Sequence, residues 1–317
     1  MPPIAAGRPK VVHVVSHLDV GGAENVAISL AEALHDRFDF RFFAALGVRD
    51  TPVGRQMHAH LTAMGMAIES GTALEMNRGG LILAGWQLVR YLRRERPDVV
   101  HLHTERPEAA WAIAATLSSH VRSLPTLRTI HNTSLWPSWK AIGRWTERRL
   151  GGRTAIGVSA GALEGLDGFR AAAGMPPLSG DTRRLVLNGI AAPPERASGR
   201  RPGEAVKVLF AGRLEPQKGI DLVPAIWNQV SRELPDAASL TIIGDGSLAS
   251  LIRSYADTAG PSVRLLPPAY GLAGMLKDFD ILLMPSRFEG LPLLAVEALM
   301  AGLPVVGFDS PGMREVF

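Results

Sequence analysis

The chain has 317 residues, with 34 Lys and Arg against 30 Asp and Glu and a formal net charge of +4. At 46% hydrophobic and 20% charged residues it is globular and able to bury sizeable cores, and its length fits about two domains. It has no cysteine, which excludes disulfides, thiolate catalysis and cysteine-ligated metals, and it has no long basic run, which argues against a nucleic-acid partner. The cytosol is the compatible compartment.

Residues 1–10 hold no apolar core of signal-peptide length. Beyond them, short apolar and β-branched runs alternate with amphipathic ones. Residues 11–16 read as a strand, Gly21-Gly22 as a turn, and 23–34 as a helix with apolar positions at 23, 26, 27, 30, 31 and 34. Further strands are expected over 38–46, 99–103, 127–131, 155–159 and 185–187, with a helix over 81–94. The stretches 44–77 and 105–110 read as loops. The run from Trp136 to Arg149, with Trp139 and Trp145, leaves two readings open. It could lie along a membrane surface, or, as the plainer reading, be a core-facing helix with a solvated charged side.

Residues 191–203 are rich in Pro, Gly and Arg and read as a linker. The expected organisation is a first domain over 1–190, a linker over 191–204 and a second domain over 205–317. In the second domain strands are expected over 206–211, 240–243, 263–266, 281–284 and 305–308, and helices over 220–230, 248–259 and 293–301. This alternation predicts an α/β architecture of two Rossmann-like domains, each a parallel sheet with helices on both faces. Ligands of such sheets bind beyond the carboxyl ends of the strands, so two domains facing one another would enclose an interdomain cleft. The stretch 291–308 is apolar apart from Glu297, but Gly302 and Pro304 divide it, leaving no helix of the roughly 20 residues that a membrane span needs.

The chemistry concentrates in residues 284–302. Glu289 falls in a loop ahead of a helix that Pro292 suits at its start and Gly302 suits at its end, with Glu297 inside it. A carboxylate in an apolar helix is costly to bury unless it is paired or binds something. The helix N-terminus offers unpaired N–H groups suited to a phosphate. An anion site with two carboxylates that can hold hydroxyl groups matches the chemistry of a sugar nucleotide. Other loops carry weaker signals. Gly21-Gly22 would let backbone approach a ligand closely, or is an ordinary strand-to-helix turn. Arg213 and Lys218 straddle the turn after 206–211, where they could clamp a diphosphate or simply be solvated. Asp278 and Asp280 have the spacing of a metal-binding acidic pair but read better as a polar helix end entering a strand. His101 and His103 share one face of a strand and, with His13 and His17, read as packing or cleft residues rather than ligands.

In chain order, Gly21-Gly22-Ala23-Glu24, Thr129-Ile130-His131, Asn188-Gly189-Ile190, Gly212-Arg213 with Lys218-Gly219, Gly244-Asp245-Gly246, and Glu289 with Glu297 span nearly the whole chain. With these landmarks the sequence resembles a family 4 retaining glycosyltransferase of the two-domain GT-B fold. The resemblance implies an enzyme of polysaccharide biosynthesis that moves a hexose from a nucleotide-diphospho-sugar to a saccharide or lipid-linked acceptor. It implies no metal and no cofactor besides the nucleotide-sugar substrate, and a place in the cytoplasm, with peripheral association at the inner face of the membrane a further expectation. His131, Glu289, Arg213 and Lys218 would be catalytic. Gly21, Gly22, Gly212, Arg213, Lys218, Gly290, Leu291, Glu289 and Glu297 would bind the donor. In that scheme Gly22 lies against the diphosphate or sugar, His131 sits at the sugar, Arg213 and Lys218 neutralise the leaving diphosphate, Glu289 holds sugar hydroxyls and Glu297 the ribose.

The sequence departs from the family pattern at its end. It stops at Phe317, short of a last strand and helix that members usually carry, and Ala191 stands where an Asp is common. A second domain incomplete at its end, with an uncovered sheet edge, is the expectation. A non-catalytic nucleotide-sugar-binding remnant is therefore an alternative. A dinucleotide oxidoreductase would need Gly-x-Gly-x-x-Gly after the first strand, where only Gly21-Gly22 stands. A sugar-nucleotide epimerase would release free sugar without an acceptor.

Overall fold

The computed structural model describes residues 7–19, 21–190 and 204–317. The linker expected over 191–204 therefore lies outside the described residues apart from Glu204. The chain divides into two compact units, Met1–Gly189 and Ile190–Phe317.

The first unit is built on seven strands: β1 (Lys10–Val15), β2 (Asp39–Ala44), β3 (Ala67–Ser70), β4 (Val99–His103), β5 (Thr126–Ile130), β6 (Thr154–Gly157) and β7 (Arg183–Leu185). They pair in parallel in the order β3-β2-β1-β4-β5-β6-β7. Five of the six residues of β1 are buried, as expected for a central parallel strand covered on both faces. Val12, Val14, Val100 and Leu102 pack with Leu88 and Leu92 of the helix Gly80–Glu95 and with Trp111 of the helix Glu105–Leu117.

The second unit repeats the plan with five strands: β8 (Val206–Ala211), β9 (Ala238–Ile243), β10 (Val263–Leu266), β11 (Ile281–Met284) and β12 (Val305–Gly307). All are parallel, in the order β10-β9-β8-β11-β12. One core gathers Phe210, Ile242 and Trp227, and another gathers Leu209, Leu282, Ala295 and Ala298. In both units the strand order reverses beside the first strand, between β1 and β4 and between β8 and β11, and such a reversal opens a crevice at the carboxyl ends. The amino ends of these strand pairs share one clamp. Asp98 accepts from the Lys10 N–H at 2.7 Å and donates its own N–H to the Lys10 carbonyl at 2.9 Å. Asp280 does the same with Lys207 at 2.8 Å and 2.8 Å. Asp280 thus ties strands together at the end of the sheet away from the crevice, in keeping with the reading of Asp278 and Asp280 as a helix end entering a strand.

Several expected loops are regular structure. Within 44–77, Pro52–Ala63 is a helix capped by Thr51, whose hydroxyl accepts from the Gly54 N–H at 3.0 Å, and Val53, Met57 and Leu61 are its buried face. β3 follows it. The stretch 105–110 opens the helix Glu105–Leu117, whose residues 107–112 are all buried, so it shows no polar side to mark it. β7 lies two residues before the expected strand over 185–187. The tryptophan-rich run forms the helix Lys140–Leu150 with Thr146, Glu147 and Leu150 buried; Trp136 is buried ahead of it, while Trp139 is 46% exposed. This is the core-facing arrangement. Among the described residues no helix is long and apolar enough to cross a membrane.

Candidate functional site

In the second unit the expected residues collect at the carboxyl ends of β8 and β11. Gly212 and Arg213 follow β8, Lys218 ends the short helix Pro216–Lys218, and Glu289, Gly290 and Leu291 lie between β11 and the helix Leu293–Met300. Lys218 Nζ donates to both carboxylate oxygens of Glu289, at 2.7 and 2.8 Å, although the residues are 71 positions apart. Glu289 is 6% exposed, so this is a largely desolvated ion pair facing the crevice end of the sheet. Glycine makes the approach of the two loops feasible. Gly219 has φ +68°, and a Cβ there would sit 1.8 Å from the Pro285 carbonyl oxygen.

Three residues that the sequence did not single out bind these loops to each other. Gln217 donates to the Phe288 carbonyl at 3.2 Å and accepts from Arg213 at 2.7 Å. Arg287 forms a bidentate pair with Asp221, both contacts at 2.7 Å. Arg213 is exposed and held by Gln217 rather than by the Lys218–Glu289 pair. Next to that pair, the N–H groups of buried Gly290 and half-buried Leu291 donate no hydrogen bond to any described residue. Pro292 is the N-cap of the helix, one position earlier than a first helical turn. Glu297 lies in the second turn, half-buried, and its carboxylate has no hydrogen-bond partner among the described residues. Burial holds it above the usual carboxylate range. The helix ends at Gly302 with φ +73°, where the Gly302 and Leu303 N–H groups donate to the Leu299 and Ala298 carbonyls, a Schellman stop. One end of this unit therefore presents two carboxylates, an ammonium, a guanidinium and two free N–H groups, a set suited to a diphosphate with hydroxyl-bearing groups on either side.

In the first unit Gly21 is the extended N-cap of the helix Gly22–Leu34, and a Cβ added at Gly22 would meet no atom within 4 Å. His131 directly follows β5 and is half-buried. Its Nε2 lies 3.2 Å from Nδ1 of His103, whose Nε2 lies 2.8 Å from Nδ1 of His13. His101 sits beside them, bonded through Nε2 to the Thr129 hydroxyl at 2.7 Å. The imidazole nitrogens of His13, His101 and His103 fall within 4.8 Å of one another. Burial lowers His13 and His131 to about 3 and holds His101 and His103 well below the ordinary value, so all four rings are neutral at pH 7. Thr104, at the end of β4, has φ +73° and ψ 173°, a costly backbone for a residue with a Cβ, and its hydroxyl is 2.9 Å from that of Ser16. Thr104, His131, Asn132 and Glu108 line one small cavity.

Behind it, fully buried Arg128 grips Glu147 through two bonds of 2.6 and 2.7 Å and reaches Glu108 at 3.4 Å, while Arg170 also bonds Glu147. Burial alone would raise the Glu147 carboxyl, but the charges and hydrogen bonds of Arg128 and Arg170 outweigh it and hold it low. Glu108, which gets a weaker share of Arg128, is pushed by burial up to about 8. A separate cavity of about 460 Å³ adjoins Arg148, Arg170 and Pro176. Its lining shares no residue with the small cavity at His131, and Arg170 on its wall is already bonded to Glu147, Gly151 and Pro176.

Two family descriptions match the chain: Glycosyltransferase Family 4 over residues 20–171 and Glycosyl transferases group 1 over residues 205–317. The putative glycosyltransferase EpsF of Bacillus subtilis is 26% identical over 327 aligned positions, covering 96% of this chain and 80% of that protein. An uncharacterized glycosyltransferase of Haemophilus influenzae is 31% identical over 112 positions, covering 34% of this chain and 31% of that protein. Among solved structures, Anabaena Alr3699/HepE in complex with UDP-glucose superposes with a TM-score of 0.74 at 18% identity, covering 97% of this chain and 82% of that one. Matched by glycosyltransferase families in both units and sharing the GT-B fold, the chain belongs to the family 4 glycosyltransferases.

Proposed function

We propose that the protein transfers a hexose from a nucleotide-diphospho-sugar to a glycan or lipid-linked acceptor, with retention of configuration and without a metal. The observation that carries the proposal is the Lys218–Glu289 pair at 2.7 and 2.8 Å beside the free N–H groups of Gly290 and Leu291, at the carboxyl ends of β8 and β11. Lys218, Arg213 and those N–H groups would neutralise the leaving diphosphate, electrostatic work that requires no ion. Glu289 would take hydroxyls of the transferred sugar and Glu297 those of the ribose. The pairing of Lys218 with Glu289 means the ammonium is positioned before the donor arrives. His131, neutral at pH 7, would contribute a hydrogen bond to the sugar rather than a charge. The acceptor oxygen would bond to the anomeric carbon from the face that the diphosphate leaves, the bond to the diphosphate oxygen would break, and that oxygen would receive the acceptor's proton. Gly22, with open space at its Cα, leaves room for such a ligand.

The solved relative that holds UDP-glucose makes UDP-sugars the first donors to try. Incubation of UDP-, GDP-, ADP- and dTDP-glucose with a mixture of oligosaccharide acceptors in excess EDTA, followed by proton and phosphorus NMR, tests the reading. The expected outcome is release of one nucleoside diphosphate with an α-configured sugar product. A β product would contradict retention, and activity only after added metal would contradict metal independence. Peripheral membrane association belongs to the same proposal. Its support is Ile82 and Trp86, 66% and 48% exposed one turn apart, with Arg90 over the Trp86 ring. Absence of binding to anionic vesicles at low salt would remove it.

A further inference from the structure

The mechanism above leaves unused a row of buried imidazoles that ends on His131. We infer that His103, backed by His13, is a positioning residue that fixes His131 as the Nδ1–H tautomer, so that His131 offers its ligand a proton donor from Nδ1. The inference rests on the reading of His131 as a ligand-facing residue. The row is continuous: His13 Nδ1 to His103 Nε2 at 2.8 Å, then His103 Nδ1 to His131 Nε2 at 3.2 Å. A neutral imidazole carries one N–H and one bare nitrogen, so each ring in a row must donate at one end and accept at the other. The proton order therefore runs in one direction or the other along all three rings.

The far end decides the direction. His13 Nε2 is buried with no hydrogen-bond partner, and its ring is stacked against Phe40 and Phe42 with centroids 5.2 Å from each. A buried N–H without an acceptor is rarer and costlier than a buried acceptor left bare. Nε2 of His13 therefore carries no proton, and its Nδ1–H donates to His103. The Nδ1–H of His103 must then donate to Nε2 of His131, which leaves the His131 proton on Nδ1. Among the described residues Nδ1 of His131 has no protein partner, so that N–H remains for a ligand oxygen. This is the opposite of the tautomer that a free neutral histidine side chain favours, so the row imposes a state the ring would not choose alone. His101 stands outside the row. Its Nε2 bonds to the Thr129 hydroxyl, and it packs against His103 at 4.1 Å between centroids, holding that ring upright.

Long-range proton–nitrogen correlation NMR on the full chain, labelled with ¹⁵N-histidine at pH 7 and without any donor, reads the tautomer directly. The expected result is His131 protonated at Nδ1 and bare at Nε2, with a shift toward the Nε2–H form in His103→Phe. His13→Phe, a near-isosteric change among phenylalanines, should also relax the preference by removing the end that sets the direction. A wild-type His131 found as Nε2–H or as imidazolium would overturn the inference, and the wild-type spectrum alone suffices if the variants fail to fold. A His131 tautomer unchanged by His103→Phe would overturn it too. Stoichiometric zinc binding abolished by His13→Phe would overturn the role given to His13, because a metal rather than an imidazole hydrogen bond would then hold the Nε2 end of His103. No donor is present in the measurement, so its failure is distinct from failure of the reading that His131 meets the sugar, which a donor titration of His131→Ala examines.

Discussion

Lys218 and Glu289 are 71 residues apart in sequence and share two short hydrogen bonds, so neither can be altered alone without consequence for the other. Lys218→Met would leave the Glu289 carboxylate buried and unpaired, at a cost of about 1–3 kcal/mol in folding stability. The double variant Lys218→Met with Glu289→Gln should lose less than the sum of the two single losses, which chemical denaturation of all three proteins checks. For turnover, each single change should lower kcat by about 10²–10³, the typical effect of removing one preorganised electrostatic contact. Glu108 gives a pH signature. Its carboxyl lies at about 8 in the folded chain against an ordinary value of 4.5, so the native state holds a proton that the unfolded chain gives up first. The stabilising contribution is complete below the ordinary value and is lost as pH rises toward and through about 8. Glu108→Gln should flatten that decline, and its advantage over wild type should widen from pH 5 to pH 9 in urea unfolding. Glu147→Gln should destabilise at both pH values, because it strips a partner from Arg128 and Arg170.

At the scale of elements, most of the parallel strands are legible because they are compact apolar runs between polar turns, and all five strands of the second unit lie where the sequence places them. The helix Leu293–Met300 was legible from its stop, since Gly302 supplies the left-handed residue of a Schellman ending. What could not be read has physical causes. The helix Glu105–Leu117 is buried around most of its circumference, so no polar stripe marks its period. β3 is four residues long and none of them is fully buried, so it has no apolar run to display. The positions of Gly212, Arg213, Lys218, Glu289 and Glu297 at the sheet's crevice end followed from local pattern. The Lys218–Glu289 bond, the Arg287–Asp221 brace and the imidazole row depend on strand order and register, which a single chain's pattern does not encode. Gly219 tests the brace between the two donor loops. With φ +68° and the Pro285 carbonyl 1.8 Å from any added Cβ, Gly219→Ala should cost about 1–3 kcal/mol and weaken donor binding. Urea unfolding of the variant would check the first and calorimetric titration with the donor the second.

For the molecule as a whole, each unit has its own cores, and most of the candidate donor residues sit on the second unit, with Gly21 and Gly22 on the first. β12 is an edge strand of the second unit's sheet, and its Val306 and the following Phe308 are 52% and 45% exposed. An open edge with exposed apolar side chains invites association, so Phe308→Lys should reduce concentration-dependent self-association in light scattering without altering donor binding. A nucleotide-sugar is expected to bind where Lys218, Glu289 and the Gly290 and Leu291 N–H groups converge. A ligand present at 100 times its dissociation constant adds about 2.7 kcal/mol of stability. The most direct test is a thermal-unfolding panel with UDP-, GDP-, ADP- and dTDP-sugars and NAD, run on wild type and Lys218→Met. One nucleotide-sugar class should raise the melting temperature of the wild type, NAD should not, and the rise should disappear in the variant. A cooperatively melting protein that none of the sugars shifts, or a shift that survives Lys218→Met, would contradict this expectation.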